Sequence, residues 1–367
     1  MRIAFIHPFL SRYPRGIERY ILNLANTLAR REIEVHLLTW RWPQPIQIET
    51  LESQVRVHRM PTLRYYAASL VVPFYVWNLL TQAYDFVWIF FAGYGEAEAL
   101  TLARQQRFGI VFHYPYDQVP HRYHEFLRYK LAKRAAQIVS VSQFVADGVQ
   151  EFFGRTSQVI HHGVDSERFQ PDSSARVRMR HELNLPLNVP VLITAAALEE
   201  RKGVQWVLRA LPQVLHDHPE TVYLVLGDGP NRADLEKLTR ELGLESCVRF
   251  MGAQQDVVSY YQVADLSLIL SRGEASSLTT LESLACGVPA IVARQPPFDE
   301  LIASDYGMMV NEEDRDAVAS AIVELLSDAV RRRVMGEAGR ARVLTDFTWE
   351  RVAEQYLQIL SSGAHVW

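Results

Sequence analysis

Apolar positions along this chain recur with two alternating periods. Short apolar runs at Ile3–Phe9, Glu34–Trp40, Val55–Arg59, Phe86–Phe91, Ile110–Tyr114 and Ile138–Ser142 read as strands. Between the first two, Ile17, Tyr20, Ile21, Leu24, Ala25 and Leu28 repeat at helical spacing and predict one buried face of a helix over Gly16–Arg31. Leu127, Leu131 and Ala135 line up in the same way before the last strand. Strands separated by helices mean βαβ units and a parallel sheet.

A second series of the same kind follows Val159–Asp165 and the polar stretch Gln170-Pro171-Asp172-Ser173-Ser174. Its predicted strands are Val191–Ala196, Val222–Gly227, Val248–Gly252, Leu266–Ser271 and Ala290–Arg294, again with helical patterns between them. The 367 residues therefore divide into two α/β units of similar size, expected at 1–170 and 171–348. Ligands of open parallel sheets sit beyond the carboxyl ends of the strands. With two such sheets, a cleft between them is the expected site.

Charge and cysteine narrow the class. The 38 Lys and Arg against 42 Asp and Glu give a net charge of −4, without the basic footprint of a nucleic-acid binder. Two cysteines, Cys247 and Cys286, are too few for a disulfide framework and suit a reducing, cytoplasmic setting. The first apolar run is cut short by His7, Pro8 and Arg12, unlike a secretory signal. Tyr65 to Tyr84 carries no charge, but Pro73, Asn78 and Gln82 interrupt it, which favours a buried or interfacial helix over a membrane span. Between Arg122 and Arg134, five basic residues (Arg122, Arg128, Lys130, Lys133, Arg134) interleave with Tyr123, Phe126 and Tyr129. A solvated helix face is the plain reading, and peripheral contact with an anionic membrane is the sharper one.

Chemistry-bearing residues gather at the ends of the second-half strands. Leu266–Ser271 runs into Arg272-Gly273-Glu274, and Glu282 follows on the next helix. The small and hydroxyl residues between the two carboxylates let a backbone approach a ligand at a helix start, where unpaired N–H groups favour an anion. Spacing alone favours an acidic helix turn with a solvated Glu. Ala195-Ala196-Ala197-Leu198-Glu199-Glu200-Arg201-Lys202-Gly203 also follows a strand and places Lys202 where a cation meets a phosphate. Leu226-Gly227-Asp228-Gly229-Pro230 forms a third strand-turn-helix junction, with Pro230 suited to a first helical position.

These features resemble the nucleotide-sugar glycosyltransferases of family 4, which have the GT-B fold. The resemblance runs through nearly the whole chain. Gly16-Ile17-Glu18-Arg19 is similar to the family's glycine loop, and His162-Gly163-Val164-Asp165 with Phe169 and Pro171 to its linker run. Glu274 to Glu282 matches its E-x7-E element, and Glu300 its next acidic loop residue. The resemblance implies two Rossmann-like domains with a last helix, about 349–367, packing back on the first. It implies a retaining transfer of sugar from a nucleotide-diphosphate donor to a hydroxyl acceptor, such as a glycan, a lipid-linked acceptor or a small molecule.

By that resemblance Lys202, Glu274 and His113 are the catalytic candidates. Gly16, Arg201, Lys202, Glu274, Ser277, Leu278, Thr279 and Glu282 bind donor, and His113 and Asp117 face the acceptor. A strand-end histidine with a pKa near neutrality suits an acceptor hydroxyl. Family precedent puts an arginine five residues before the lysine, where this chain has Ala197; Arg201 is the substitute on offer. His161 and His162 alternate faces in extended chain and do not read as metal ligands. Asp314-Arg315-Asp316 reads as a helix start. No metal and no cofactor are expected. The rival reading is a nucleotide-sugar-binding protein with little transferase activity. Base, sugar, acceptor, linkage and oligomeric state are not specified by these residues.

Overall fold

The computed structural model describes residues 1–10, 16–41, 51–60, 72–90, 103, 106–113 and 129–362. It divides into two units, Met1–Gly163 with Trp349–Trp367, and Val164–Thr348. The first contains strands β1 (Arg2–Ile6), β2 (Glu34–Trp40), β3 (Val55–Met60), β4 (Phe86–Ile89), β5 (Phe108–Phe112), β6 (Gln137–Ser140) and β7 (Gln158–Val159). Helices α1 (Gly16–Arg30), α2 (Val72–Thr81) and α3 (Gln143–Phe153) accompany them. The strands pair in parallel in the order β3-β2-β1-β4-β5-β6-β7.

The second unit begins with helix α4 (Ser173–Glu182). It continues through β8 (Val191–Ala195), α5 (Val204–Asp217), β9 (Val222–Leu226), α6 (Arg232–Glu241), β10 (Val248–Gly252) and α7 (Val258–Val263). Then come β11 (Leu266–Ile269), α8 (Leu278–Ala285), β12 (Ala290–Ala293), α9 (Phe298–Leu301), β13 (Gly307–Val310), α10 (Arg315–Ser327) and α11 (Ala329–Asp346). Its sheet is also parallel, in the order β10-β9-β8-β11-β12-β13. Both are parallel α/β units, as the alternating periods predict, and Rossmann-like, as the resemblance implies.

Helices cover both faces of the second sheet, which is why its strands read as unbroken apolar runs. Ile193, Leu224 and Val292 belong to one core and Leu192, Val225 and Ile291 to the other. The first unit is completed by α12 (Trp349–Ser362), which packs on α1. There the hydroxyls of Tyr20 and Tyr356 lie 2.9 Å apart, both buried. Trp88 is buried beneath them, and Gly109 makes room: a Cβ there would come within 2.4 Å of the Trp88 ring.

Several boundaries differ from the sequence expectations for local reasons. Strand β1 stops at Ile6 because the Phe9 N–H donates to His7 Nδ1 at 3.1 Å and turns the chain. Strand β7 is only Gln158–Val159, since the His161 ring turns to the Val141 carbonyl at 3.2 Å and the Val164 N–H goes to Phe347 O at 2.8 Å. Val164 and Phe169 join the second core, so the chain passes between units at Gly163, where the sequence suggested 170. Pro230 lies in a turn and α6 starts at Arg232, because the Asn231 N–H is drawn to Leu198 O at 3.0 Å. Strand β13, a short Gly-Met-Met-Val edge, was not anticipated.

The second unit is tied at its base by an ion cluster. Arg180 is 1% exposed and donates to the carbonyls of Pro186, Leu187 and Val189 at 2.7, 2.9 and 2.8 Å. Its other guanidinium nitrogen meets Asp265 at 3.1 Å, and Arg176 meets the same carboxylate at 2.7 Å. Asp265 also accepts the Val191 N–H at 2.8 Å, so one side chain links α4, the start of β8 and the start of β11.

Candidate functional site

Strand order in the second sheet reverses between β8 and β11, and the loops leaving such neighbours open a crevice for a ligand. After β8 the chain makes a 3-10 turn, Glu200–Lys202, and enters α5 through Gly203 at φ +75°. A Cβ at Gly203 would sit 2.0 Å from Leu270 O, so only glycine lets this turn lie on the end of β11. The Arg272 N–H then donates to Arg201 O at 2.7 Å, joining the two loops backbone to backbone.

The side chains converge on one carboxylate. Lys202 Nζ donates to Glu274 Oε1, and Arg201 Nη1 lies 3.5 Å from the same oxygen. Arg201 also donates from Nε to Glu199 at 2.9 Å. Lys202 and Glu274 are shielded, at 19% and 14% side-chain exposure, whereas Arg201 is half exposed at 47%. Two cations thus share one carboxylate between adjacent strand ends. Ala197, where family precedent has arginine, is exposed in the strand-to-turn connection and carries no charge.

Helix α8 supplies the other half. Ser277 is its N-cap, with Oγ accepting from the Thr280 N–H at 3.4 Å and the Thr280 hydroxyl at 2.8 Å. This commits the Ser277 side chain to the helix. Leu278 and Thr279 lie in the first turn, whose N–H groups have no intrahelical acceptor and carry the positive end of the helix dipole. One turn on, Glu282 is buried, and the Tyr261 hydroxyl contacts its Oε2 at 3.5 Å. Burial first, and the Glu282 charge second, push the Tyr261 phenol up; the same causes push the Cys286 thiol up to about 12. Cys286 is therefore an inert core thiol.

Arg201, Lys202, Glu274, Ser277, Leu278, Thr279 and Glu282 are thus brought together at the carboxyl end of one sheet. Gly16 opens α1 in the first unit and is exposed. Arg15, Asp117 and the stretch from Arg122 to Arg128 lie outside the described residues. Glu300 lies on the short helix α9. Asp314 caps α10, accepting from the Asp316 and Ala317 N–H groups at 3.1 and 3.0 Å, so this acidic triplet serves a helix start.

His113 follows β5 directly but is buried, at 7% exposure. Its ring packs edge-on against Tyr20 at 4.8 Å and beside Phe90 at 5.9 Å. Its Nδ1 lies 3.4 Å from His162 Nε2, and its Nε2 has no hydrogen-bond partner among the described residues. Burial, with smaller contributions from His162 and His7, holds His113 well below the usual imidazole range. The expectation of a pKa near neutrality is corrected: desolvation penalises the imidazolium, and the ring is neutral at physiological pH.

Sequence reasoning missed the groups that hold this chemistry in place. Arg272 donates to Glu312 at 2.6 Å, and Gln295 reaches the same oxygen at 3.2 Å. No motif marks these residues; the one hint is that Arg272 stands two places before Glu274.

Residues 176–342 match the family described as Glycosyl transferases group 1, and residues 14–168 match Glycosyltransferase Family 4. A GDP-mannose-dependent monoacylated alpha-(1-6)-phosphatidylinositol monomannoside mannosyltransferase of Corynebacterium glutamicum is 30% identical over 248 residues, 64% of each chain. An N-acetyl-alpha-D-glucosaminyl L-malate synthase of Bacillus anthracis is 32% identical over 180 residues, 49% of this chain and 47% of that one. The matched stretch thus spans less than two thirds of these relatives. Among solved structures, Anabaena HepE in complex with UDP superposes with a TM-score of 0.86 at 20% identity, covering 99% of this chain and 100% of that one. Sucrose-phosphate synthase from Thermosynechococcus elongatus gives 0.82 at 22% identity, with 99% and 98% covered.

Proposed function

The chain belongs to glycosyltransferase family 4 and has two Rossmann-like units of the GT-B type, and from that premise we propose that it transfers a glycosyl group, with retention, from a nucleotide-diphosphate sugar to a hydroxyl acceptor. The observation that carries this reading is the convergence of Lys202 and Arg201 on Glu274 beside the open first turn of α8. The hard step is departure of a nucleoside diphosphate from an oxocarbenium-like centre. Lys202, Arg201 and the N–H groups of Leu278 and Thr279 oppose the charge that develops on the leaving group. Glu282, further along the helix, accepts hydrogen bonds from the donor's ribose hydroxyls, and Glu274 those of the transferred sugar. With two side-chain cations and a helix start assigned to the diphosphate, the reaction is read as metal-independent and without a cofactor. His113, buried among Tyr20, Phe90 and His162, braces its strand end instead of meeting a hydroxyl directly.

Lys202→Met tests the site. Transfer or hydrolysis of the preferred nucleotide sugar is expected to fall about 10²–10³-fold in kcat, the cost of removing one preorganised charge donor, while the melting temperature stays close to that of the parent. Unchanged turnover would remove Lys202 from the mechanism. Binding of nucleotide sugars by the parent protein, with no turnover, would leave a binding protein instead.

The acceptor side extends the proposal to a membrane surface. Leu79 and Tyr75 of α2, Leu131 and Ala135, and Val149 and Phe153 of α3 share one core, so these segments lie on one face of the first sheet. Outward from it project Phe74, Trp77 and Leu80, at 46%, 72% and 67% exposure, with Lys130, Lys133 and Arg134 also exposed. Among the described residues no helix is long and apolar enough to cross a membrane. Aromatic and cationic side chains on one layer suit the headgroup zone of an anionic bilayer, and the mannosyltransferase relative acts on a phosphatidylinositol mannoside. Phe74→Ser/Trp77→Ser is expected to lower binding to anionic vesicles at low salt roughly tenfold or more, given about 1.5–3 kcal/mol per buried large apolar side chain. Vesicles that bind neither protein would end the membrane reading.

A further inference from the structure

Lys202 and Glu274 stand on loops of adjacent strands, and their relative position rests on contacts between those loops. Among the described residues, Arg272 makes the one backbone bond between them and ties it to a third loop through its side chain. Its N–H is bonded to Arg201 O at 2.7 Å. Its Nε donates to Glu312 Oε1 at 2.6 Å, and its Nη2 to Glu313. Its guanidinium lies 5.7 Å from the ring of Trp206, whose N–H closes the turn at Gly203 O at 3.0 Å. One residue thus touches the lysine turn, the first turn of α5 and the loop after β13.

Glu312 anchors this arrangement. It is 7% exposed, and one of its oxygens receives both Arg272 and the Gln295 amide, from the loop after β12 at 3.2 Å. A buried carboxylate is tolerated only when paired and hydrogen-bonded, so Glu312 and Arg272 hold each other. The guanidinium is committed to Glu312 and Glu313, while Arg201 and Lys202 occupy the Glu274 carboxylate.

We propose that Arg272 is a positioning residue for sugar transfer, which, clamped by Glu312, holds the Lys202 turn and the Glu274 loop at the separation the reaction needs. This rests on the transferase reading above. A displacement of about 1 Å at a reacting centre costs roughly 10²-fold in rate, without requiring the ground-state ligand to bind more weakly. A latch of this kind is therefore read in kcat before it is read in affinity.

The test compares the parent with Arg272→Gln, Arg272→Lys and Glu312→Gln. Steady-state transfer, binding of UDP and GDP as probes, melting temperature and hydrogen exchange over 199–206 and 271–277 are measured on each. Expected for Arg272→Gln and Glu312→Gln is a 10–100-fold fall in kcat, with nucleoside diphosphate affinity within about threefold. Arg272→Lys, which keeps one ion pair but not the fork, should recover part of kcat. Hydrogen exchange should quicken in both segments together, although Glu312 lies in neither. Unchanged kcat in both variants, or a loss that tracks only the folded fraction, would overturn the proposal. If the parent turns over no nucleotide sugar, the transferase reading fails by itself. Exchange then still decides whether the latch couples the loops, and quickening confined to 271–277 would count against it.

Discussion

Asp265→Ala is expected to lower the stability of the second unit by about 3–5 kcal/mol, the range for breaking a buried ion pair by removing one partner. Arg180 has almost no contact with water, and among the described residues its counter-charge is this one carboxylate. Removing it leaves a desolvated guanidinium whose remaining partners are backbone carbonyls. The Val191 N–H loses its acceptor in the same step, at the first residue of β8. Urea unfolding followed at Trp206 would report the loss. A change under about 1 kcal/mol, the size of an exposed pair, would show that the cluster is not desolvated in solution. Asp265→Asn, which keeps an acceptor for the N–H but not the charge, separates the two contributions.

The second large effect is acid sensitivity of the first unit. Burial lowers His7 and His162 to about 3 and His113 well below its usual range. Their ring cluster around Tyr20 includes His113 and His162 with centroids 5.5 Å apart. In the unfolded chain each imidazole titrates near 6.5. The folded values lie below that, so the unfolded state takes up protons first. Stability is full above pH 6.5 and declines as pH falls toward 3. His7 and His162 each contribute about 1.4 kcal/mol per pH unit inside that window, so about 4 kcal/mol is at stake for these two by pH 5, and His113 acts in the same direction. Glu18, 3.9 Å from His7, moderates the loss at that one site. Hydrogen exchange at pH 7 and pH 5 should show protection failing in β1, α1, β5 and α12 while the second sheet keeps its own. Equal protection of the first unit at both pH values would mean that the imidazoles titrate in the folded state.

How much of this was legible in the sequence depends on how local each feature is. The helical repeat from Ile17 to Leu28 and the apolar runs of the second sheet gave their elements because period and burial coincide there. The Glu274 to Glu282 spacing marked the strand-to-helix junction for the same reason: loop, cap and helix are contiguous. The pairing of Arg272 with Glu312 spans 40 positions and that of Arg180 with Asp265 spans 85, and neither has a periodic signature. The burial of His113 was equally hidden. A histidine after a strand looks alike in sequence whether it faces solvent or three aromatic rings. Strand β13 escaped because a short edge strand carries little alternation.

The return of α12 to the first unit has a consequence for how the chain is made. Tyr20 finds the Tyr356 hydroxyl 336 positions later, and Trp88 and Trp349 meet their partners across similar spans. A ribosome releases residues in order, so the second unit, an uninterrupted stretch from Val164 to Thr348, can close its core while the first still lacks a helix. Domains generally fold as units, amino-terminal first; here that order is reversed by construction. The half that emerges earliest is the half that must wait, with the α1 face of its sheet exposed, until translation has passed residue 349.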